Sequence, residues 1–150
     1  MSIKIIAENR KARFNYEILE QFEVGVVLVG TEVKSLRTGK LNISESYALI
    51  HQNELVWLNA NIPHYSHGNL HNHDPVRTRK LLAHRQEIRR LIGVIREKGM
   101  ALLPLKAYWK EGRVKLEIGV GRGKKLHDKR QTEQDRDWKR EKDRLMKQQG

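Results

Sequence analysis

The chain has 150 residues and a formal net charge of +12 at pH 7, because 30 Lys and Arg residues outnumber 18 Asp and Glu residues. It contains no cysteine, which excludes disulfides, thiol catalysis and cysteine-based zinc sites. The apolar runs of the sequence are far shorter than a membrane span or the core of a signal peptide. We therefore expect one cytoplasmic domain whose partner is a polyanion.

Residues 14–121 show the alternating pattern of short strands outside one helix-like stretch. The pattern predicts three hairpins, formed by 16–23 with 26–29, by 46–51 with 55–62, and by 103–109 with 114–120. The first hairpin is expected to turn at Gly25. Six short strands with few covering helices favour a small antiparallel, OB-like β-barrel, since closure of the sheet removes exposed edges.

Two or three short helices are expected beside the barrel. Residues 31–37 predict a helix capped by Thr31 and ended by Gly39. Residues 77–98 have apolar side chains at helical spacing, with eight basic and two acidic residues around them. Such an excess of positive charge favours a helix that contacts phosphates over a merely solvated face.

The last thirty residues have a different composition from the rest of the chain. They hold eleven basic and six acidic residues but very few large apolar side chains. Such a segment cannot offset its ordering entropy, so we expect it to be disordered when free. A narrow apolar stripe of Trp138, Leu145 and Met146 nevertheless predicts that residues 131–147 can form a helix on a partner. The expected organisation is a domain over 1–122 and a basic tail over 123–150.

The histidines at 64, 67, 71 and 73 form the most conspicuous cluster of possible catalytic or metal-binding residues. A nuclease would need one of them to work with Glu23 or Glu32, but nothing in the spacing fixes such a pair. No cysteine or well-placed glutamate completes a metal site, so we expect neither catalysis nor a bound metal. The glycines of 119–123 lack the context of a nucleotide-binding fold and predict a flexible exit from the barrel.

Aromatic and basic side chains lie near each other in the barrel sequence, as in many RNA-binding proteins. Phe14 and Tyr47 are either core residues or platforms on which bases stack, and the sequence leaves both open. Glu23 is unusual for a polyanion-binding protein. It either accepts hydrogen bonds from base amino groups or stabilises the predicted turn.

Five collinear segments resemble the SsrA-binding protein (SmpB) family over essentially the whole chain. These segments are ENRKARFNY (8–16), GTEVKSLRTGK (30–40), NISESY (42–47), HDPVRTRKLL (73–82) and GKKLHDKR (123–130). The resemblance implies a bacterial ribosome-rescue factor that is an adaptor, not an enzyme, and needs no cofactor. It also implies that the barrel binds the tRNA-like domain of tmRNA. In such a factor the tail probes the vacant mRNA channel and decoding centre of a stalled ribosome, beside 16S rRNA.

The resemblance and the basic and aromatic pattern together give two sets of predicted site residues. The tmRNA-binding set is Asn9, Arg13, Tyr16, Glu23, Lys34, Arg37, Tyr47, Arg79, Lys80 and Leu82. The ribosome-binding tail set is Gly123, Lys124, Lys125, His127, Asp128, Lys129, Arg130, Trp138 and Met146. We expect a monomer when free, and delivery of alanyl-tmRNA together with elongation factor Tu. The alternatives are a small nuclease and a constitutive ribosomal protein.

Overall fold

The computed structural model describes residues 3–67, 72–97, 99–124 and 140. Within them it contains seven strands and three short helices. The strands are β1 (Ile3–Glu8), β2 (Tyr16–Val26), β3 (Tyr47–His51), β4 (Glu54–Leu58), β5 (Arg79–Leu82), β6 (Met100–Lys110) and β7 (Arg113–Gly123). The helices are α1 (Arg10–Asn15), α2 (Gly30–Arg37) and α3 (Arg85–Ile95). The predicted mainly β class is confirmed.

The strand pairings close the sheet on itself. Strand β6 pairs with β3, and the order then runs through β4, β5, β2 and β7 back to β6, with every pairing antiparallel. Strand β1 lies outside this six-stranded ring and pairs only with β6 among the described strands. The result is the small antiparallel barrel that the hairpin pattern predicts.

Alternating side chains of the strands fill the interior of the barrel. On β7, Leu116, Ile118 and Val120 are buried in the main cluster, together with Trp57 of β4 and Leu91 of α3. Each fully buried side chain of this size contributes about 1.5–3 kcal/mol relative to an exposed one. Helix α3 therefore covers part of the barrel through the apolar stripe that its sequence predicts.

Two of the three predicted hairpins are confirmed. Strands β3 and β4 join through Gln52 and Asn53, which have φ values of 50° and 61°. Strands β6 and β7 join through Glu111 and Gly112, with φ values of 54° and 75°. Two successive positive φ values give the local twist that suits a two-residue hairpin turn.

The predicted hairpin at Gly25 is wrong, because residues 16–26 form one continuous strand. Strand β2 is long enough to pair with β7 along most of its length and with β5 at its end. The glycine here allows a close approach of the neighbouring strand and does not form a turn. A Cβ atom on Gly25 would lie 3.3 Å from Cδ1 of Leu82 on β5.

The predicted continuous helix over 77–98 is also wrong in its first part. Residues 79–82 form β5, which pairs with both β4 and β2, and helix α3 begins only at Arg85. The Asp74-Pro75 sequence forms a turn, in which the Asp74 carboxylate accepts the Val76 N–H at 3.0 Å. Sheet pairing on two sides outweighs the helical periodicity of this segment.

None of the described helices is long and apolar enough to cross a membrane.

Helix α2 is confirmed, but its N-terminus is not capped by Thr31. The helix follows Val29, whose backbone N–H donates to the Glu32 carboxylate at 2.9 Å. The Thr31 hydroxyl instead lies 2.9 Å from Nδ1 of His73. Gly39, with φ of 82°, follows the helix as predicted. Strand β1 and helix α1 have no counterpart among the sequence predictions.

The glycines of β7 serve close packing, so the predicted flexible exit at this point is wrong. A Cβ atom on Gly119 would lie 2.8 Å from Cδ1 of Leu105, and one on Gly121 would lie 2.9 Å from Cδ1 of Leu103. Ala12 of α1 packs against the same two leucines on the outside of the barrel. The predicted tail helix over 131–147 lies outside the described residues, apart from Arg140.

Candidate nucleic-acid interface

An open cleft of about 1280 Å³ lies where four elements of the barrel meet. Its walls are the end of β2, the β3–β4 turn, strand β5 and the first turns of α3. Three residues of the predicted tmRNA-binding set line this cleft: Glu23, Lys80 and Leu82. They come from two separate sequence segments, which the β2–β5 pairing brings together.

Leu82 presents an apolar side chain at the mouth of the cleft. It is 55% exposed, although it belongs to a strand whose neighbour Leu81 is fully buried. It lies opposite Gly25, and the missing Cβ at that position leaves room for its side chain. This exposed leucine gives a base or a sugar an apolar surface against which to pack.

The positive charges of the cleft are less neutralised than the negative ones. Arg85, Arg89 and Lys115 line the cleft and form no ion pair with a described residue. The lining carboxylates are paired within the described chain: Glu54 with Lys80 at 3.1 Å, Glu87 with Arg90 at 2.7 Å, and Glu23 with Lys110 at 3.3 Å. The cleft therefore favours a polyanion such as a nucleic-acid backbone.

Glu23 is the acidic residue of this otherwise cationic site. Its carboxylate accepts a hydrogen bond from the Tyr108 hydroxyl, which lowers the pKa of Glu23 below its usual range. Burial opposes this shift in the pKa, while Lys110 and Lys115 add to it. The side chain is thus an ionised hydrogen-bond acceptor at neutral pH. The second option from the sequence, stabilisation of a turn, is wrong because β2 is continuous here.

Arg79 lies inside the protein, so a direct contact with RNA is not compatible with the structure. It is 0% exposed and donates to the Glu32 carboxylate at 2.6 Å and to the Ala60 carbonyl at 2.8 Å. Arg77 donates to the other oxygen of the same carboxylate, also at 2.6 Å. Burial raises the pKa of Glu32, but the hydrogen bonds from Arg77, Val29 and Arg79 together lower it below its ordinary value. The arginine fixes β5, the strand that carries Lys80 and Leu82.

Three further predicted residues lie on exposed surfaces that do not line the cleft. Lys34 and Arg37 belong to the exposed side of α2, and the Lys34 ammonium group lies 5.7 Å from the centre of the Tyr65 ring. Tyr47 begins β3 and is 42% exposed. These positions are accessible to RNA, and their contact with it remains a prediction.

Asn9, Arg13 and Tyr16 lie together around α1. Asn9 is buried: its amide donates to the Pro104 carbonyl at 3.0 Å, and its side-chain oxygen accepts the Ala12 N–H at 3.3 Å. Its bonds hold α1 on the barrel, and its contact with RNA remains a prediction. Arg13 is exposed, and Tyr16 is partly buried against the cluster that Ala12 forms with Leu103 and Leu105.

Only the first two residues of the predicted tail set are described. Gly123 ends β7 opposite Tyr16, and the Lys124 N–H donates to the Asn15 carbonyl at 2.9 Å. Strand β7 therefore includes Gly123, the first residue of the predicted tail. The other tail residues lie outside the described part of the chain: Lys125, His127, Asp128, Lys129, Arg130, Trp138 and Met146.

The described histidines of the cluster have mainly structural contacts. His73 is buried, with Nδ1 at 2.9 Å from the Thr31 hydroxyl and Nε2 at 2.8 Å from the Ile62 carbonyl. His64 packs edge-on against it. Glu32, one of the two carboxylates considered for acid–base catalysis, is completely enclosed by its arginine partners. His71 lies outside the described residues, and no group of three possible metal ligands occurs within them.

Several residues of the cleft are absent from the predicted site. Arg85 and Arg89 belong to the basic stretch for which phosphate contacts are predicted, but only the position of α3 shows that they line the same cleft as Leu82. The sequence predicts only a turn for Gln52 and Asn53. Tyr108 alternates with its neighbours like any strand residue, so no sequence signal distinguishes it.

Comparison with known proteins gives consistent matches over nearly the whole chain. The family model of the SmpB protein matches residues 6–148. The SsrA-binding protein of Magnetococcus marinus is 59% identical over 147 residues, which cover 98% of each chain. That of Caulobacter vibrioides is 58% identical over 145 residues, covering 96% of this chain and 95% of the relative. A solved structure described as "tmRNA-SmpB: a journey to the center of the bacterial ribosome" is 50% identical, has a TM-score of 0.66, and covers 80% of this chain and 85% of its own.

Proposed function

Because the chain belongs to the SmpB protein family, we propose that it binds tmRNA and acts in trans-translation, the rescue of stalled ribosomes. The description of the related structure names tmRNA-SmpB and the bacterial ribosome, which supports both tmRNA and the ribosome as partners. In this role the protein is an adaptor that positions an RNA and does not itself catalyse a reaction.

One observation carries the proposal at the level of residues, namely the cleft between β2, β5 and α3. It combines an apolar surface at Leu82, an ionised acceptor at Glu23, and the cations Arg85 and Arg89, which form no ion pair within the described part of the chain. Proteins recognise irregular RNA by its shape, by its phosphates and by the edges of unpaired bases. In the cleft, Leu82 offers a packing surface, Arg85 and Arg89 suit phosphates, and Glu23 suits the edge of an unpaired base. We therefore propose that the tRNA-like domain of tmRNA binds there.

The experiment measures binding of a fluorescent transcript of the tRNA-like domain to the full-length protein. E23Q and L82S are each expected to weaken the affinity by about tenfold, since each removes a group that faces the RNA. E111Q is the matched control, because Glu111 lies in the β6–β7 turn and forms no ion pair with a described residue. Equal affinities of E23Q, L82S and wild type would place the RNA elsewhere on the protein.

The tail has a separate role in the proposal. The part of the tail beyond Lys124 is proposed to enter the vacant mRNA channel and reach the decoding centre, while elongation factor Tu accompanies the alanyl-tmRNA. The excess of positive charge near the end of the sequence supports a ribosomal RNA surface as the partner of this segment.

Deletion of residues 131–150 separates the two roles. The truncated protein is expected to bind the tRNA-like domain with unchanged affinity but to lose tagging of nascent chains on stalled ribosomes in a reconstituted translation reaction. A matching loss of RNA affinity on deletion would contradict this division of labour. Presence of the full-length protein in equal amounts on every ribosome, rather than on stalled ones, would instead favour a constitutive ribosomal protein.

A further inference from the structure

A buried tyrosine contacts the acidic residue of the cleft from a strand that is not adjacent to it. Tyr108 lies on β6 and is 3% exposed, and its hydroxyl donates to Oε2 of Glu23 on β2. Strand β7 lies between the two, with Lys115 opposite Tyr108 and Glu117 opposite Glu23. The phenol therefore reaches across a whole strand to a single carboxylate oxygen.

The two oxygens of this carboxylate have different surroundings. Oε2 accepts from the Tyr108 hydroxyl, and the Lys110 ammonium group lies at 3.3 Å from it. Oε1 has only Lys110, at 3.4 Å, as a hydrogen-bond partner among the described residues. The Lys110 side chain is 38% exposed, so Oε1, which lacks the phenol, is the carboxylate oxygen more open to a ligand in the cleft.

We propose that Tyr108 is a positioning residue, which holds the Glu23 carboxylate so that Oε1 accepts hydrogen bonds from base N–H or ribose O–H groups of the bound RNA. The inference rests on the proposed function of the cleft and deepens it. It also explains why a buried tyrosine directs its polar end toward the surface, since a buried hydroxyl needs a partner.

The ionisation states agree with this geometry. The hydrogen bond from Tyr108 is the largest influence that lowers the pKa of Glu23, while burial and the bond to Glu23 raise the pKa of Tyr108. At neutral pH the phenol is therefore a fixed donor and the carboxylate a fixed acceptor. Three charged groups act on this pair, namely Lys110 on β6 and Lys115 and Glu117 on β7, and the Lys106 ammonium group lies 5.8 Å from the centre of the Tyr108 ring. Lys80 on β5 and His84, Arg85 and Arg89 at the start of α3 line the same cleft as Glu23.

The first test follows the carboxyl carbon of Glu23 by NMR during an acid titration of the free protein. Y108F removes the donor but keeps the ring, so the titration midpoint of Glu23 is expected to move to higher pH. A 3-fluorotyrosine at position 108 is a stronger donor and is expected to move the midpoint to lower pH. The second variant keeps both ring and hydroxyl, so the test does not depend on whether Y108F folds. An unchanged midpoint in both proteins would overturn the inference.

The second test is a double-mutant cycle of affinity for the tRNA-like domain at neutral pH. Y108F is expected to weaken binding by about fivefold in the wild type but by less than about twofold in the E23Q background, because its effect passes through Glu23. Y65F is the matched control, since it removes a phenol hydroxyl elsewhere and retains the ring.

The outcomes separate the inference from the proposed function. If E23Q weakens binding and Y108F does not, or if Y108F acts equally in both backgrounds, Tyr108 is not a positioning residue although the cleft still binds RNA. If neither E23Q nor L82S alters affinity, the location of the RNA in the cleft is itself wrong, and the inference fails with it.

Discussion

The buried ion pair between Glu32 and Arg79 gives the strongest stability prediction for this protein. Both side chains are 0% exposed, and the carboxylate accepts from Arg79 at 2.6 Å, from Arg77 at 2.6 Å and from the Val29 N–H at 2.9 Å. In E32Q the guanidinium of Arg79 stays buried without its counter-ion, and an amide group faces donors. Removal of one partner of such a pair costs about 3–5 kcal/mol.

The expected loss is near the lower end of that range, because Arg79 keeps its bonds to the carbonyls of Ala60 and Pro75. For a domain of this size, about 3 kcal/mol corresponds to a decrease in Tm of about 10–15 °C. The assay is urea unfolding followed by tryptophan fluorescence, since Trp57 is fully buried in the core. A loss below about 1 kcal/mol would refute the reasoning.

The matched control is a second glutamate-to-glutamine change in an exposed ion pair. Glu45 and Lys11 lie 3.0 Å apart, but their side chains are 75% and 67% exposed. E45Q is therefore expected to cost less than about 1 kcal/mol. In addition, R79M combined with E32Q is expected to cost less than the sum of the two single changes, because the second change removes the charge that the first leaves unpaired.

The same pair makes stability depend on pH. The pKa of Glu32 in the folded protein is below its ordinary value of 4.5, despite burial, because the hydrogen bonds from Arg77, Val29 and Arg79 outweigh it. Such a group stabilises the folded state fully above its unfolded pKa, and the stabilisation is lost as pH falls through the folded pKa. The difference in free energy of unfolding between wild type and E32Q is thus expected to shrink below about pH 4.5.

Three further outcomes follow from the packing and charge of the barrel. G121A is expected to lose about 1–3 kcal/mol in urea unfolding, since the new Cβ lies 2.9 Å from a buried leucine methyl group; an unchanged midpoint would contradict this packing. G25A is expected to displace Leu82 and weaken RNA binding several-fold. Its control is G93A, in open space on α3, which is expected to leave binding unchanged and to add about 0.4–1 kcal/mol of stability. Equal affinities of G25A and G93A would contradict the role of the Gly25–Leu82 contact. R89A is expected to reduce the slope of log Kd against log salt by about one, and an unchanged slope would exclude a phosphate contact.

The parts of the fold that the sequence predicts are those governed by local rules. The β3–β4 and β6–β7 hairpins are marked by alternation on both sides of a short polar turn, and both are present. The misassigned parts depend on distant partners. Gly25 has the sequence context of a turn residue, and only its pairing with β5 shows that it lies within a strand. Residues 79–82 have a helical pattern, but they form a strand because they pair with both β4 and β2.

The candidate site likewise contains residues that the sequence predicts and residues whose roles depend on contacts with distant parts of the chain. The resemblance to a known family predicts Glu23, Lys80 and Leu82, and the structure brings them into one cleft. The charge of Arg79 predicts a phosphate contact, while its burial against Glu32 depends on a contact 47 positions away in the sequence. Tyr108 could not be selected, because its importance lies only in where its hydroxyl points.

The enclosed guanidinium of Arg79 has a practical consequence for alanine-scanning studies. Loss of this side chain would loosen the strand that presents Lys80 and Leu82, and the variant would score as a severe binding defect. A screen that measures only affinity would then rank Arg79 as a hot spot for binding, although this buried side chain does not contact the RNA. Thermal melting curves measured for the same variants distinguish residues that stabilise the fold from residues that contact the RNA.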